Sequence, residues 1–130
     1  MKRHCVLLIE DDQDFLAGIK TTLEFAEIDV VTATGGREGV TLAMDASRSL
    51  DCIILDIILP EMDGYEVYRE LKRNHETADI PVIIMTSLTK LEGVRNAERL
   101  LKQEDIAGWL EKPFKPKLLI EKVRSVVGSR

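Results

Sequence analysis

The chain has 130 residues, of which 45% are hydrophobic and 32% are charged, and its net charge is −5. This size and composition predict one globular domain with its own core and exclude a disordered chain. The acidic balance argues against nucleic-acid binding through a basic surface, and no apolar run approaches the roughly 20 residues that a membrane span needs. Because no signal peptide opens the sequence, a cytoplasmic location is expected.

The first predicted element is a strand over residues 4–10, which carries four consecutive aliphatic residues and runs into Glu10 and Asp11. An unbroken apolar run of this length is typical of a strand buried on both faces. The acids after it would repel one another, so a positive group is expected among them. Asp12 or Asp14 is expected to cap the amphipathic helix that follows.

The alternation of strand and helix patterns then continues along the chain. Further strands are predicted at residues 29–34, 51–55, 81–86 and 106–110, and further helices around residues 40–44, from Asp63-Gly64 onward, over 91–102 and over 116–127. Five strands that alternate with five helices favour parallel pairing through right-handed crossovers. The expected architecture is a doubly wound sheet of order 2-1-3-4-5, with a ligand site where strands 1 and 3 end. Residues 1–130 are expected to form this single domain.

Two cysteines, Cys5 and Cys52, lie in the first and third predicted strands without a metal-binding or redox spacing. If the acids at the ends of these strands are level, the thiols are offset by two residues, or about 7 Å. Such an offset is too large for a relaxed disulfide. Both cysteines are therefore expected to be reduced and buried.

Acidic side chains should converge at the reversal of winding, because Glu10 and Asp11 end one strand and Asp56 ends its neighbour. Several carboxylates in a crevice suggest a hard divalent cation, and so small a ligand set favours Mg²⁺ over Ca²⁺. Thr86 ends strand 4 and Lys112 follows strand 5; alone, each could be an ordinary turn hydroxyl or a solvated lysine. Together, a carboxylate, a metal, a hydroxyl and a cation are the groups needed to receive a phosphoryl group.

Four segments carry a family resemblance: IEDD after strand 1, LDIILPEMDG after strand 3, IIMTS at strand 4 and GWLEKPF around strand 5. With these motifs the chain resembles the receiver domains of bacterial two-component response regulators, chemotaxis regulators among them, over essentially all its residues. The resemblance implies a (βα)5 flavodoxin-like fold. No output domain is expected to follow the receiver domain in this chain.

The resemblance also implies a role for each matching residue. Asp56 matches the phosphoacceptor, which forms an aspartyl phosphate. Asp11 and Asp56 match carboxylate ligands of Mg²⁺, with Glu10 nearby and acting through water, and the main-chain carbonyl of Ile58 matches a third protein ligand.

Four further positions match residues that handle the phosphoryl group and the switch. Thr86 and Lys112 match the side chains that contact phosphoryl oxygens during catalysis. Thr86 and Trp109 match a switch pair in which the ring turns inward on activation. The Lys112–Pro113 peptide bond matches one that is typically cis in this family.

The partners that the resemblance implies are proteins. The phosphoryl donor would be a phosphohistidine of a sensor histidine kinase or a histidine phosphotransfer protein. The face formed by helix 4, strand 5 and helix 5 would signal to a downstream protein or to an effector domain of a longer chain, with homodimerisation through that face as a further option. The domain would catalyse only its own phosphorylation and dephosphorylation, without contacting nucleic acid or a membrane.

The sequence departs from the family pattern at three places. The chain between Thr86 and Lys112 is a few residues longer than usual, Trp109 replaces the usual Tyr or Phe, and Ser87 stands where Ala or Gly is favoured. The first departure leaves the details of the switch surface open, and Trp109 could instead be plain core packing.

Three other classes of function fit the sequence less well. A flavin-binding electron carrier is disfavoured because the loop after strand 1 is acidic and would repel a phosphate. A metal-dependent phosphatase could use the same groups, although Asp56 is flanked by Ile57 and Ile58 rather than by a second acid–base residue. A pseudo-receiver that only binds partners is disfavoured because every reactive position is filled.

Overall fold

The structure is a computed structural model that describes residues 3–47, 49–87 and 96–128. Strands and helices alternate along the chain within these residues. In order they are β1 (Cys5–Ile9), α1 (Gln13–Phe25), β2 (Asp29–Ala33), α2 (Gly36–Asp45), β3 (Cys52–Asp56), α3 (Gly64–Arg73), β4 (Val82–Thr86), α4 (Ala97–Leu101), β5 (Gly108–Glu111) and α5 (Pro116–Val127).

The strands form one parallel sheet of order β2-β1-β3-β4-β5, which confirms the predicted topology. β1 and β3 are direct neighbours, with Ile9 level with Leu55. From β1 the chain adds β2 on one side, and from β3 it adds β4 and β5 on the other side, so the direction of winding reverses between β1 and β3. The carboxyl ends of β1 and β3 lie side by side at that point, where a crevice is expected in a doubly wound sheet.

Both faces of the sheet are covered by helices, which explains the unbroken apolar runs of the central strands. Alternate residues of a strand point to opposite faces. Leu7 and Ile9 pack with residues of α2, α3 and α4, whereas Val6 and Leu8 pack with residues of α1 and α5. Burial of both sets makes β1, β3 and β4 a rigid support for the groups at their ends.

Side-chain caps fix the two helices that start beside this edge of the sheet. Asp12 accepts a hydrogen bond of 3.1 Å from the main-chain N–H of Phe15, and Asp63 caps α3 in the same way. Gly64 donates its N–H to the Ile57 carbonyl at 3.1 Å, and a Cβ at position 64 would lie only 2.5 Å from the Ile57 Cα. This close approach requires glycine and holds the start of α3 against the residue that follows β3.

All five strands and the fourth helix differ from their predicted ranges at one or both ends, most of all the last strand and that helix. The last strand spans Gly108–Glu111 rather than 106–110, because its ladder with β4 places Glu111 level with Thr86. The fourth helix spans Ala97–Leu101, and residues 91–95 of its predicted range lie outside the described residues. In the parts of the chain that the structure describes, no helix combines the length and apolarity that spanning a membrane requires.

The cysteine prediction was wrong in its register and in the burial of one thiol. Cys52 is level with Val6, so the offset from Cys5 is one residue and not two. An offset of one residue sends the two side chains to opposite faces of the sheet, and they pack with different core clusters. The thiols therefore cannot bond to each other. Cys52 is buried, whereas Cys5, in the first position of β1, is only half-buried.

Candidate functional site

Three carboxylates meet at the reversal of winding. Glu10 directly follows β1 and is only 1% exposed, Asp56 is the last residue of β3 and is 5% exposed, and Asp11 is exposed. One oxygen atom from each carboxylate lies within 4.8 Å of the other two. The structure thus brings together the three acids that strand order and sequence had placed at one edge.

Lys112 is the positive group that the crowded acids require. Its Nζ donates to Glu10 Oε1 at 2.6 Å and to Asp56 Oδ2 at 3.1 Å. The backbone holds this residue in place, because the Lys112 N–H donates to the Thr86 carbonyl at 2.7 Å and so extends the β4–β5 ladder. The Lys112–Pro113 peptide bond that follows is cis.

The electrostatics of the cluster follow from burial and crowding. Burial raises the pKa of Glu10, and the neighbouring Asp56 carboxylate raises it further, although Lys112 opposes both effects. Burial and the adjacent Glu10 carboxylate raise the pKa of Asp11. Burial alone would lower the pKa of Lys112, but the two acids beside it more than compensate and raise it. The site therefore holds more negative charge than its single ammonium group balances.

A cavity of about 330 Å³ opens over these groups. It is lined by Glu10, Asp11, Asp12, Asp56, Ile58, Leu59, Pro60, Ser87 and Lys112. The Ile58 N–H donates to Asp56 Oδ1 at 3.1 Å, so the β3–α3 loop orients this carboxylate, which lines the cavity. A cavity of this size is large enough for a small anionic group beside the acids.

Thr86 and Trp109 occupy one face of the sheet on adjacent strands. Trp109 pairs with Ile84, and Thr86 pairs with Glu111. Thr86 therefore lies two residues, or about 7 Å, further along the strand direction than Trp109. Thr86 is buried, and its Oγ1 has no hydrogen-bond partner among the described residues. The half-buried ring of Trp109 packs against the core on this face. A buried hydroxyl without a partner has unused capacity to bind a ligand or to change its position.

Sequence reasoning missed two residues of the site. Asp12 was expected as a helix cap but also lines the cavity, as does Ser87, which was expected to be small enough to admit a phosphoryl group. Phe15 lies in the amphipathic helix predicted after the first strand, and its ring lies against the Lys112 ammonium. The position of Phe15 in the first turn after the acids was the only sequence signal for this contact.

Comparison with known proteins decides the family. The response regulator receiver domain family matches residues 6–124 of the chain. This chain belongs to that family. Response regulator SaeR of Staphylococcus aureus is 30% identical to this receiver domain over 122 residues, which cover 94% of the chain and 50% of the relative. The receiver domain thus spans about half the length of the curated relatives it matches.

Solved structures agree with this assignment. The chemotaxis response regulator CheY4 of Vibrio cholerae is 28% identical, with a TM-score of 0.80 over 96% of this chain and 99% of that one. The receiver domain of the sensor histidine kinase PA1611 from Pseudomonas aeruginosa is 27% identical, with a TM-score of 0.85 over 98% and 99% of the two chains. That structure holds a magnesium ion in its active site cleft. The receiver domain is therefore a signalling domain of two-component systems with the predicted flavodoxin-like architecture.

Proposed function

We propose that the domain accepts a phosphoryl group on Asp56 from a phosphohistidine of a sensor histidine kinase or a histidine phosphotransfer protein. The observation that carries this proposal is that the Asp56 carboxylate lines the cavity, 3.1 Å from the Lys112 ammonium and beside two further acids. A carboxylate held next to a cation and a group of oxygen ligands can attack phosphorus.

The transfer uses the Asp56 carboxylate and the Lys112 ammonium, which line the cavity, and the Thr86 hydroxyl at the end of β4. A lone pair of the Asp56 carboxylate forms the new O–P bond while the P–N bond to the donor histidine breaks, and its electron pair stays on the imidazole nitrogen. The Lys112 ammonium stabilises charge on the equatorial phosphoryl oxygens during this in-line exchange. Thr86 donates its hydroxyl hydrogen to the same oxygens once the acyl phosphate has formed.

The acidic cluster fits a resident Mg²⁺ ion. Three carboxylate oxygens within 4.8 Å of one another are a hard-oxygen donor set. Burial, and after it the neighbouring carboxylates, raises the pKa values of Glu10 and Asp11, as expected for acids that lack a counterion. Asp11 and Asp56 would bind the ion directly, with Glu10 acting through water and the Ile58 main-chain carbonyl as a further ligand. When bound, the ion neutralises charge between the carboxylates and the incoming anion.

The phosphoryl group would switch the surface through Thr86 and Trp109. It carries close to two negative charges and attracts the buried Thr86 hydroxyl, which has no partner among the described residues. Movement of Thr86 along its face of the sheet frees space in the direction of Trp109, whose ring then turns inward. The face formed by α4, β5 and α5 changes its equilibrium conformation and signals to a partner.

The partners on the output side follow from the same proposal. Since the curated relatives are about twice as long as this chain, either an effector domain or a separate downstream protein would receive the signal. The net charge of −5 disfavours direct contact of this domain with nucleic acid. Homodimerisation through the α4, β5 and α5 face is one form that the output could take.

Intact-mass measurement after incubation with a small phosphodonor and Mg²⁺ tests the proposal. The parent domain should gain one phosphoryl group, and Asp56→Asn, which is nearly isosteric but lacks the nucleophile, should gain none. Asp14→Asn makes the same chemical change outside the acidic cluster and should behave like the parent. A stable phosphoryl adduct on Asp56→Asn would refute the assignment, and multiple turnover of a phosphorylated substrate would favour a phosphatase instead.

A further inference from the structure

The ring of Phe15 lies against the ammonium group at the centre of the site. Lys112 Nζ is 4.3 Å from the centroid of the Phe15 ring, while the two carboxylate contacts of the same nitrogen are at 2.6 Å and 3.1 Å. The face of an aromatic ring is electronegative and attracts a cation at this distance. The ammonium therefore has one neighbour whose attraction does not depend on the ionisation of an acid.

The ring is fixed to both segments that form the site. Phe15 lies in the first turn of α1, where its N–H donates to Asp12 in the acidic turn. The edge-to-face contact with Phe114 has a centroid distance of 5.8 Å and an interplanar angle of 75°. Phe114 is two residues beyond Lys112, so the two rings join the start of α1 to the segment after β5.

The carboxylate contacts of Lys112 must weaken when the site is used. Once Asp56 is phosphorylated, the phosphoryl oxygens replace its carboxylate as the anionic partner of Lys112. Before that, a metal ion on the acids takes up the charge that now holds the ammonium beside Glu10 and Asp56. The lysine side chain is 21% exposed and has a flexible four-carbon stem, so it could then turn toward water. The Phe15 ring would still attract the ammonium in every one of these states.

We propose that Phe15 is a positioning residue for Lys112, which keeps the ammonium at the cavity while the charge on the carboxylates changes. The inference rests on the proposed phosphoryl transfer to Asp56 and adds a residue to it. Phe15 itself touches no reacting atom; it acts through Lys112. Loss of the attraction should slow phosphorylation about three- to thirtyfold. This factor is the usual strength of a cation–π attraction to a partly desolvated ammonium group, converted into a ratio of rates.

The test weakens the ring face without changing the volume of the side chain. Mono-, di- and trifluorinated phenylalanine at position 15 withdraw electron density stepwise and leave the packing against Phe114 almost unchanged. With a small phosphodonor and Mg²⁺, the initial phosphorylation rate should fall with each added fluorine. Phe15→Tyr, which keeps the ring face, should stay near the parent, and Phe15→Leu should be among the slowest. Phe25→Leu is the matched control, because Phe25 lies on the same helix and is 90% exposed.

A second measurement uses the metal-free protein and does not depend on turnover. The ring current of Phe15 should shift the ε-methylene protons of Lys112 upfield in the NMR spectrum, and Phe15→Leu should remove that shift while Phe25→Leu leaves it unchanged. An unshifted Lys112 signal in the parent would overturn the inference. Equal rates across the fluorinated series, with a slow Phe15→Leu, would also overturn it, since the residue would then act by packing alone.

The two proposals fail in different ways. If the parent gains no phosphoryl group under these conditions, the acceptor role of Asp56 is wrong, and the positioning role goes with it. If the parent is phosphorylated but its rate is insensitive to fluorination, only the role of Phe15 is wrong. Melting temperatures of all variants identify any rate loss that follows from unfolding.

Discussion

Replacing Asp11 by Asn should stabilise the metal-free protein, even though Asp11 is proposed to bind Mg²⁺. The carboxylate oxygens of Glu10, Asp11 and Asp56 lie within 4.8 Å of one another, and Lys112 is bonded to the other two acids. Two like charges at that distance repel by about 0.9 kcal/mol in water and about 3.5 kcal/mol at an effective dielectric constant of 20. Because Asp11 is exposed, we expect a value near the lower limit, about 1 kcal/mol.

This free energy corresponds to a measurable change in melting temperature. The unfolding entropy of a chain of this length implies that about 1 kcal/mol shifts the melting temperature by roughly 4 °C. In excess chelator, thermal unfolding followed by circular dichroism should therefore place Asp11→Asn about 4 °C above the parent. Asp14→Asn removes the same charge from the first turn of α1, where an acid is favourable, and should not raise the melting temperature.

Added Mg²⁺ should reverse the order of parent and variant. At a concentration ten times its dissociation constant, the ion stabilises the parent by about 1.4 kcal/mol, or roughly 5 °C, whereas Asp11→Asn has lost a ligand and should gain little. An Asp11→Asn melting temperature at or below that of the parent in chelator would mean that the acids are simply solvated. Equal gains from Mg²⁺ in both proteins would place the metal elsewhere.

Three further predictions concern pH, the lifetime of the phosphorylated state and the switch. The pKa values of Glu10 and Asp11 are raised above their ordinary 4.5 and 3.8, so the ionised pair destabilises the fold most at neutral pH. The increase in melting temperature from Asp11→Asn should therefore shrink as pH falls toward 4. An increase that does not change with pH would show that repulsion between ionised carboxylates is not its cause. Ile58 lines the cavity and cannot hydrogen-bond the water molecule that would hydrolyse an aspartyl phosphate. Leu88, which lies outside the described residues, is likewise apolar. We expect the aspartyl phosphate of the parent to decay slowly and that of the double variant Ile58→Asn, Leu88→Glu to decay faster. Equal decay rates in the two proteins would show that these residues do not control the access of water. Trp109 is the only tryptophan, so its fluorescence should change on phosphorylation of the parent, and an unchanged spectrum at full phosphorylation would remove it from the switch.

The sequence by itself determined the elements and the end of the sheet where the acids lie. Runs such as residues 6–9 are apolar at every position, which is typical of a strand covered on both faces. The alternation of these strands with helical periods leaves few topologies, because parallel strands need right-handed crossovers. Polar residues that directly follow such strands, Glu10 and Asp56 among them, must then lie at one edge. The candidate site could therefore be located without coordinates.

Only the tertiary structure decided register and lateral contacts. The two cysteines are offset by one residue rather than two, because the pairing of β1 with β3 is set by side-chain packing and the hydrogen-bond ladder, not by aligning their terminal acids. Glu10 and Lys112 are 102 residues apart in the chain, but Lys112 Nζ lies 2.6 Å from Glu10 Oε1. They directly follow β1 and β5, which the sheet order separates by β3 and β4. The Phe15 ring contacts Lys112 because α1 and the segment after β5 pack on the same face. Apolar periodicity records which face of an element is buried, but it carries no information on which side chain of a distant element lies opposite.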